Sequence, residues 1–363
     1  MTSPAPAPGV DLLTRCARFV GVPSVSRSEG RLADLIELEL RAAPWLEVDR
    51  VGDNLVARAR PGPGPRLVVA GHLDTVPPDS NAEPRRAGGT LWGLGAADMK
   101  GGLAVMVDLA TTIPRPAPAV TYIFYVAEEI DRRFSGLLEL EAARPDLLEA
   151  AAAIVCEPTG AVVEAGCQGV LKAEVRLKGT RAHVARPWAG RNAVHRLGPL
   201  LACVSGLAPR EAEVDGCRYT ESLQVVRIWG GGASNVLPDE AGAELNFRFA
   251  PDRTVASASQ VLADILGPSL SSGDELEVTD SAPAASPSLG QPLLAALVEA
   301  ADGEVRAKLG WTDVAFFAER GIPAANFGPG DPELAHTRDE HVTAGSLERV
   351  RAVLGRLLGE EGR

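Results

Sequence analysis

Aromatic side chains are scarce, 4% of 363 residues, so the chain lacks the stacking platforms on which single-stranded nucleic acids lie. Positive charge is also in deficit. Thirty-six basic residues stand against forty-eight acidic ones, a formal net charge of −12, and a phosphate backbone or anionic membrane is repelled on average. Five cysteines (Cys16, Cys156, Cys167, Cys203 and Cys217) are odd in number, scattered and without a C-x-x-C pair, which points away from a disulfide framework and from a cysteine zinc site. A reducing, cytoplasmic setting fits them. No apolar run reaches the length of a membrane span before Gly, Pro or charge interrupts it, and no internal repeat is visible. The Pro/Ala-rich opening lacks a basic segment followed by an apolar one, so residues 1–10 read as a disordered start rather than a targeting signal. Nucleic-acid and membrane partners are thus not expected.

What the chain does have is length and apolar content: 45% hydrophobic residues over 363 positions suffice for two domains. From Asp11 to about Val170 helical and strand patterns alternate. Leu32, Leu35, Ile36 and Leu40 share one helical face of Arg31–Ala42, while Arg66–Ala70, Thr121–Val126 and Ala151–Cys156 are short buried-strand runs. Helices are predicted at Met99–Leu109 and Leu137–Ala143. This is an α/β pattern with a mixed, largely parallel sheet, in which ligand residues gather at strand ends. The pattern changes near Leu171, where Leu171–Leu177 alternates apolar and charged residues. A helix (Asn192–Gly206), two strands (Ser222–Trp229, Ala241–Phe249), a helix (Ala256–Leu266) and a strand (Glu275–Thr279) follow, in the βαββαβ order of a ferredoxin-like α+β unit. After a Pro/Ser/Ala-rich linker, helix Leu293–Ala301 and strand Pro323–Phe327 resume the first pattern. The expected division is residues 11–170 with 284–363, and an inserted domain at 171–283.

Five segments carry chemistry-bearing residues. In GHLDTVPP, His72 and Asp74 sit two apart after a strand, so Asp74 could hold one ring nitrogen of His72 while the other binds metal; a polar strand end closed by Pro-Pro is the plain alternative. In GLGAADMKGG, Asp98 precedes a helix and on its own reads as an N-cap. The segment is not the G-x-G-x-x-G of a dinucleotide site. Glu128 and Glu129 end a strand together, where repulsion and desolvation call for a compensating cation unless both are solvated. Glu157 repeats the strand-end position, and His336 lies in a turn-rich loop after another strand. As a set, two histidines and three further carboxylates suit two zinc ions sharing a carboxylate.

GHLDTVPP, GLGAADMKGG, VAEE, CEPT and LAHTRDE, in this order and spacing, resemble the zinc family of acetylornithine deacetylases, succinyl-diaminopimelate desuccinylases, aminoacylases and related carboxypeptidases. The resemblance covers nearly the whole chain past Asp11. It implies that His72, Asp98 and Glu157 hold one zinc and Asp98, Glu129 and His336 the other, with cobalt as a substitute metal. It also implies that Asp74 orients His72 and that Glu128 is the general base. The fold implied is a zinc-peptidase-like α/β catalytic domain with an inserted ferredoxin-like lid and dimerisation domain, hence a homodimer. One departure is Leu94, where many relatives carry Arg.

Further matches lie beyond the ligand motifs. Lys178–His183, followed by Pro187, Gly190, Asn192 and Ala193, resembles the family's lid segment, whose histidine polarises the scissile carbonyl; this makes His183 a catalytic candidate, in trans across a dimer. Asn235 and Arg248 resemble substrate-contacting positions, and the Arg248 fork suits a carboxylate. His195 and His341 match no ligand position. Lys308–Asp313, with Gly310 and Thr312 as substrate contacts, and Asn326–Asp331 look most like the desuccinylases of high-GC bacteria. The expected reaction is therefore hydrolysis of N-succinyl-L,L-2,6-diaminopimelate. The competing expectations are an acetylornithine deacetylase or other N-acyl-amino-acid amidohydrolase, a metal-free binding protein on the same fold, and a nicotinamide-dependent oxidoreductase.

Overall fold

Four short strands, buried along nearly their whole length, form the parallel centre of a larger sheet: Ala119–Tyr125, Arg66–His72, Ala152–Val155 and Ala324–Asn326. They are apolar on both faces because both faces are covered. The computed structural model describes residues 11–59 and 65–359, so the expected disordered start at 1–10 lies outside the described residues. Neighbouring registers set Val68 opposite Thr121, Val69 opposite Ile154 and Ala325 opposite Ile154. On one side the sheet continues through Asn54–Ala59 and Leu46–Val51, an antiparallel hairpin whose turn uses Gly52 at a φ of +60°. On the other side come Val163–Ala165 and Val305–Ala307, for eight strands in all. The hairpin was not legible as two strands in the sequence.

Helices Leu12–Val20, Gly30–Arg41, Gly101–Thr112, Pro292–Ala300 and Ala344–Leu357 belong to the same unit. Its core joins Leu103 and Val107 to Leu67, Val69, Val350 and Leu354. Each such side chain, fully buried, contributes roughly 1.5–3 kcal/mol of apolar transfer. The helix predicted from Met99 starts instead at Gly101, because Asp98 (φ −117°, ψ 95°) and Met99 (φ −130°, ψ 37°) are not helical. Asp98 is therefore no N-cap; Lys100 holds that position. The sequence pattern also left the C-terminal helix Ala344–Leu357 unassigned.

A second unit comprises Gly166–Pro287 together with Ala307–Ala315, a segment the sequence pattern groups with the first domain. Its sheet has four antiparallel strands in the order Ser222–Gly230, Glu240–Phe249, Gly169–Lys178, Glu275–Ala282. By order of appearance that is 2-3-1-4, the ferredoxin-like arrangement. Leu171, Ala173, Val175 and Leu177 alternate inward, as their spacing predicts, and meet Phe247, Leu245 and Ala243 in a core with Leu200 and Leu262. Helix Val255–Leu266 begins with a reciprocal cap between Thr254 and Ser257. The expected helix Asn192–Gly206 is a single 3-10 turn, Val194–Arg196, followed by helix Leu197–Ser205. All five cysteines are free, and no helix among the described residues is long and apolar enough to cross a membrane.

The C-terminal end of strand Ala152–Val155 is pinned by a close approach. A Cβ added at Gly102 would lie 2.4 Å from the Cys156 carbonyl oxygen, so helix Gly101–Thr112 meets the strand end with no room for a side chain. In an open helix Gly→Ala gains up to about 1 kcal/mol. Here Gly102→Ala should lose about 1–3 kcal/mol by overpacking, read as a lower urea midpoint. An unchanged or raised midpoint would show that helix and strand separate freely.

Candidate metal centre

Because Arg66–His72, Ala119–Tyr125 and Ala152–Val155 run parallel and adjacent, their C-terminal ends face the same way. Those ends carry His72, the Glu128-Glu129 pair and Glu157. The hydrogen-bond ladder extends past the strands, with the Leu73 amide on the Tyr125 carbonyl and the Cys156 amide on the Ala70 carbonyl. The loop after strand Ala324–Asn326 brings His336, whose φ of 63° is left-handed, and the loop before helix Gly101–Thr112 brings Asp98.

His72 is 1% exposed in its side chain. Its Nδ1 lies 3.0 Å from the Asp74 backbone carbonyl and 3.4 Å from the Asp74 Oδ1, so the orienting partner is the main chain of Asp74 more closely than its carboxylate. The other nitrogen, Nε2, faces Asp98 Oδ1 at 3.1 Å and Glu157 Oε1 at 3.8 Å. Asp98 turns its second oxygen, Oδ2, to His336 Nε2 at 3.4 Å, and His336 Nε2 also meets Glu129 Oε1 at 2.8 Å. Asp98 thus stands between two imidazoles. Ligand atoms of His72, Asp98 and Glu157 lie within 4.8 Å of one another, as do those of Asp98, Glu129 and His336, and those of His72, Glu128 and Glu129.

The Asp74 carboxylate has a wider task than its spacing from His72 conveys. Oδ1 accepts the Glu128 amide at 3.1 Å, and Oδ2 accepts the Glu129 amide at 3.1 Å and the Ser26 hydroxyl at 2.7 Å. It therefore fixes the turn that presents both glutamates. Burial works to raise its pKa, and His72, Ser26 and the Glu129 amide together bring it below the usual range. Ala127, with φ 60°, makes the turn possible and donates its amide to Glu29 at 3.1 Å.

Electrostatically the cluster is strongly negative: Asp74, Asp98, Glu128, Glu129 and Glu157 surround two imidazoles. Burial favours neutral His72, yet hydrogen bonds with Asp74 and Asp98 and the nearby Glu157 and Glu128 raise it well above its ordinary value. His336 is pushed up to about 10 by Asp98 and Glu129. Despite burial, the same two histidines draw Asp98 down. The field that favours imidazolium would equally favour a divalent cation. Imidazole nitrogens and carboxylate oxygens, with one carboxylate turned both ways, form a donor set that fits two such ions. Cys156 is no competitor as a ligand, since burial pushes its thiol up.

The remaining singled-out residues lie in the second unit. His183 and Asn235 are neighbours there, for the Val184 amide bonds the Asn235 carbonyl at 3.1 Å, and both are exposed. Arg248 is partly buried, and its hydrogen-bond partner among the described residues is the neutral Asn246, at 3.0 Å. Burial lowers its pKa. The Gly310 carbonyl accepts the Gln168 amide at 3.1 Å, and Thr312 is buried with its carbonyl toward Cys167 Sγ at 3.7 Å. Sequence reasoning passed over Ser26, Glu29 and Glu340. Glu340, buried, accepts amides from Gly95, Ala97 and Asp98, and burial pushes its carboxyl up to about 7 against their pull. The one signal for it was an acidic residue four positions after His336.

A family model described as Peptidase family M20/M25/M40 matches residues 68–360. A Mycobacterium tuberculosis protein described as a succinyl-diaminopimelate desuccinylase, DapE, is 47% identical over 350 residues, covering 96% of this chain and 98% of its own. The Corynebacterium glutamicum succinyl-diaminopimelate desuccinylase is 41% identical over 363 residues, covering 97% and 98%. Among solved structures, aminopeptidase PepT from Bacillus cereus superposes with a TM-score of 0.77 at 18% identity, covering 96% of this chain and 97% of that one. A Bacillus subtilis protein described as a dinuclear metal binding peptidase superposes with a TM-score of 0.70 at 18% identity, covering 96% of each. The family match spans most of the sequence and the relatives align over almost all of it: the chain belongs to peptidase family M20/M25/M40.

Proposed function

We propose that the chain is a metal-dependent amidohydrolase that cleaves N-succinyl-L,L-2,6-diaminopimelate to succinate and L,L-2,6-diaminopimelate. The observation that carries the reading is Asp98, one carboxylate turned toward His72 and His336 at 3.1 and 3.4 Å, in a chain 47% and 41% identical to relatives bearing that activity as their name. His72, Asp98 and Glu157 would hold one zinc ion, and Asp98, Glu129 and His336 the second, with cobalt able to replace zinc. Bound there, the two ions supply Lewis acidity to the amide carbonyl and acidify water. Glu128, held by the Asp74–amide bond, takes a proton from the attacking water as its oxygen adds to the acyl carbon. It returns that proton to the amine nitrogen as the C–N bond breaks, giving a carboxylate and a free amine. His183 donates toward the carbonyl oxygen as negative charge develops on it. Arg248, a partly buried cation bonded to a neutral amide, suits a substrate carboxylate, and Asn235, Gly310 and Thr312 complete the substrate contacts. Five free thiols suit a reducing compartment, the cytoplasm.

The second unit also supports a two-fold homodimer. Ser222–Gly230 is an edge strand with Val226 62% and Ile228 55% exposed, an apolar edge that a second copy can extend.

The decisive assay incubates zinc-loaded protein with N-succinyl-diaminopimelate, N-acetylornithine and N-acetylmethionine separately and measures new primary amine. The succinyl substrate should lead by the worth of one lost charge pair, about 2–5 kcal/mol, and a chelator should abolish turnover until zinc is restored. Preference for an acetyl substrate would overturn the substrate assignment, and full activity in chelator would overturn the metal reading. Glu128→Gln should keep its metal and lose about 10²–10⁴-fold or more in kcat; near-wild-type turnover would remove Glu128 from the base role. If His183 serves the partner's site, mixing inactive His183→Ala and Glu128→Gln variants under subunit exchange should restore about a quarter of wild-type activity, since half the dimers then carry one intact site of two. Demonstrated exchange without recovery would confine His183 to its own chain or to no catalytic task.

A further inference from the structure

Glu340 stands out among the buried carboxylates around the site because it is not itself a ligand candidate and yet accepts the backbone amide of one, Asp98. It is 1% exposed. Its Oε1 accepts the amides of Ala97 and Asp98, each at 3.0 Å, and its Oε2 accepts the amide of Gly95 at 3.1 Å. All three partners are donors, so the carboxyl serves as an acceptor through both of its oxygens, and the three amides belong to one turn. That turn is the irregular one in which Gly95 has φ +79° and Asp98 is extended. Without the carboxylate, three amides in a sealed turn would lose their acceptor, and the turn would have no reason to keep that shape.

The chain connectivity adds to this. Strand His341–Thr343 pairs antiparallel with Thr90–Trp92, His341 opposite Trp92, so one small three-stranded ribbon, completed by Arg85–Ala87, feeds both the Asp98 loop and the His336 loop. Glu340 is the last residue before that ribbon on the histidine side. Its backbone carbonyl accepts the Gly93 amide at 3.1 Å, and Asn81 links the loops again, giving its side-chain amide to the Thr337 carbonyl at 3.0 Å while its own carbonyl takes the Leu94 amide at 2.8 Å. Lys100, whose ammonium is held by the Val22 carbonyl at 2.9 Å, leaves the carboxylate to the backbone. We propose that Glu340 is the positioning residue of the metal centre: its carboxylate clamps the Gly95–Asp98 turn so that the shared carboxylate of Asp98 and the His336 loop keep one geometry. This rests on the reading that Asp98 is shared by two metal ions.

Full-length wild type, Glu340→Gln, Glu340→Asp and, as a control for lost charge on the same loop, Glu333→Gln are stripped of metal and titrated with zinc. Stoichiometry, affinity and the rate of zinc release to a chromogenic chelator are recorded, together with the visible spectrum of the cobalt form and the melting temperature of the metal-free protein. In Glu340→Gln the side-chain amide cannot accept the Gly95 or the paired Ala97 and Asp98 amides on one of its two atoms. Zinc affinity should fall about 10–100-fold, the range found when an outer partner of a metal ligand is removed, with a changed cobalt spectrum. Glu340→Asp, one methylene shorter, should fall in the same direction, and Glu333→Gln should match wild type. Two zinc ions bound by both Glu340 variants with wild-type affinity and cobalt spectrum overturn the proposal, including where the metal-free melting temperature drops, since that is the signature of a purely structural role. Fewer than two zinc ions in wild type itself would instead bring down the two-metal reading on which the proposal stands.

Discussion

Carboxylate repulsion is the constraint around which the first unit is arranged. Asp74, Asp98, Glu128, Glu129 and Glu157 converge at the ends of three parallel strands, and a second layer of acids, Glu29 and Glu340, lies beside them. Among the described residues, neither Glu29 nor Glu340 is bonded by a lysine or arginine side chain. Glu29 takes the amides of Arg27 and Ala127, Asp74 those of Glu128 and Glu129, and Glu340 those of Gly95, Ala97 and Asp98. Neutral backbone dipoles satisfy these oxygens without adding a compensating charge. The inner carboxylates therefore keep a net field that only cations can satisfy, and the same amide bonds fix the loops that carry them.

The parts of this arrangement that were legible in the sequence are those set by local pattern. Arg66–Ala70, Thr121–Val126 and Ala151–Cys156 read as strands because continuous apolar runs bounded by Gly, Pro or charge leave little else, and their ends locate His72, Glu128, Glu129 and Glu157. The alternation of Leu171–Leu177 likewise identified a strand with one wet face. What stayed hidden depends on tertiary partners. Asp98 has the composition of an N-cap, and only the turn around Glu340 holds it out of the helix. Ser26 and Glu29 sit in a polar stretch with no periodicity, and their role exists only once Asp74 and Ala127 fold against them. The hairpin at Leu46–Ala59 lacks the usual Asn-Gly or Asp-Gly signal, its turn being Gly52-Asp53.

Fold and chemistry carry different weight. Structures with TM-scores of 0.77 and 0.70 share the architecture at 18% identity, and one of them is an aminopeptidase. The scaffold therefore constrains where ligands stand, and leaves the choice of acyl or peptide substrate to other residues. In the second unit Arg248 is a partly buried cation bonded to a neutral partner.

The ladder that outruns the strands has a consequence for how the centre breathes. Leu73, Cys156 and Phe327 all donate across to neighbouring strands beyond the regular pairing, so the backbone on either side of His72 and that leading into Glu157 belongs to the sheet. In amide-exchange terms it falls in the most protected class, exposed to deuterium only when the sheet itself opens. His336, in a loop and 49% exposed, belongs to the class that opens by local fluctuation. One half of the cluster thus shares the lifetime of the native core, and the other half renews its contact with solvent on the timescale of a loop.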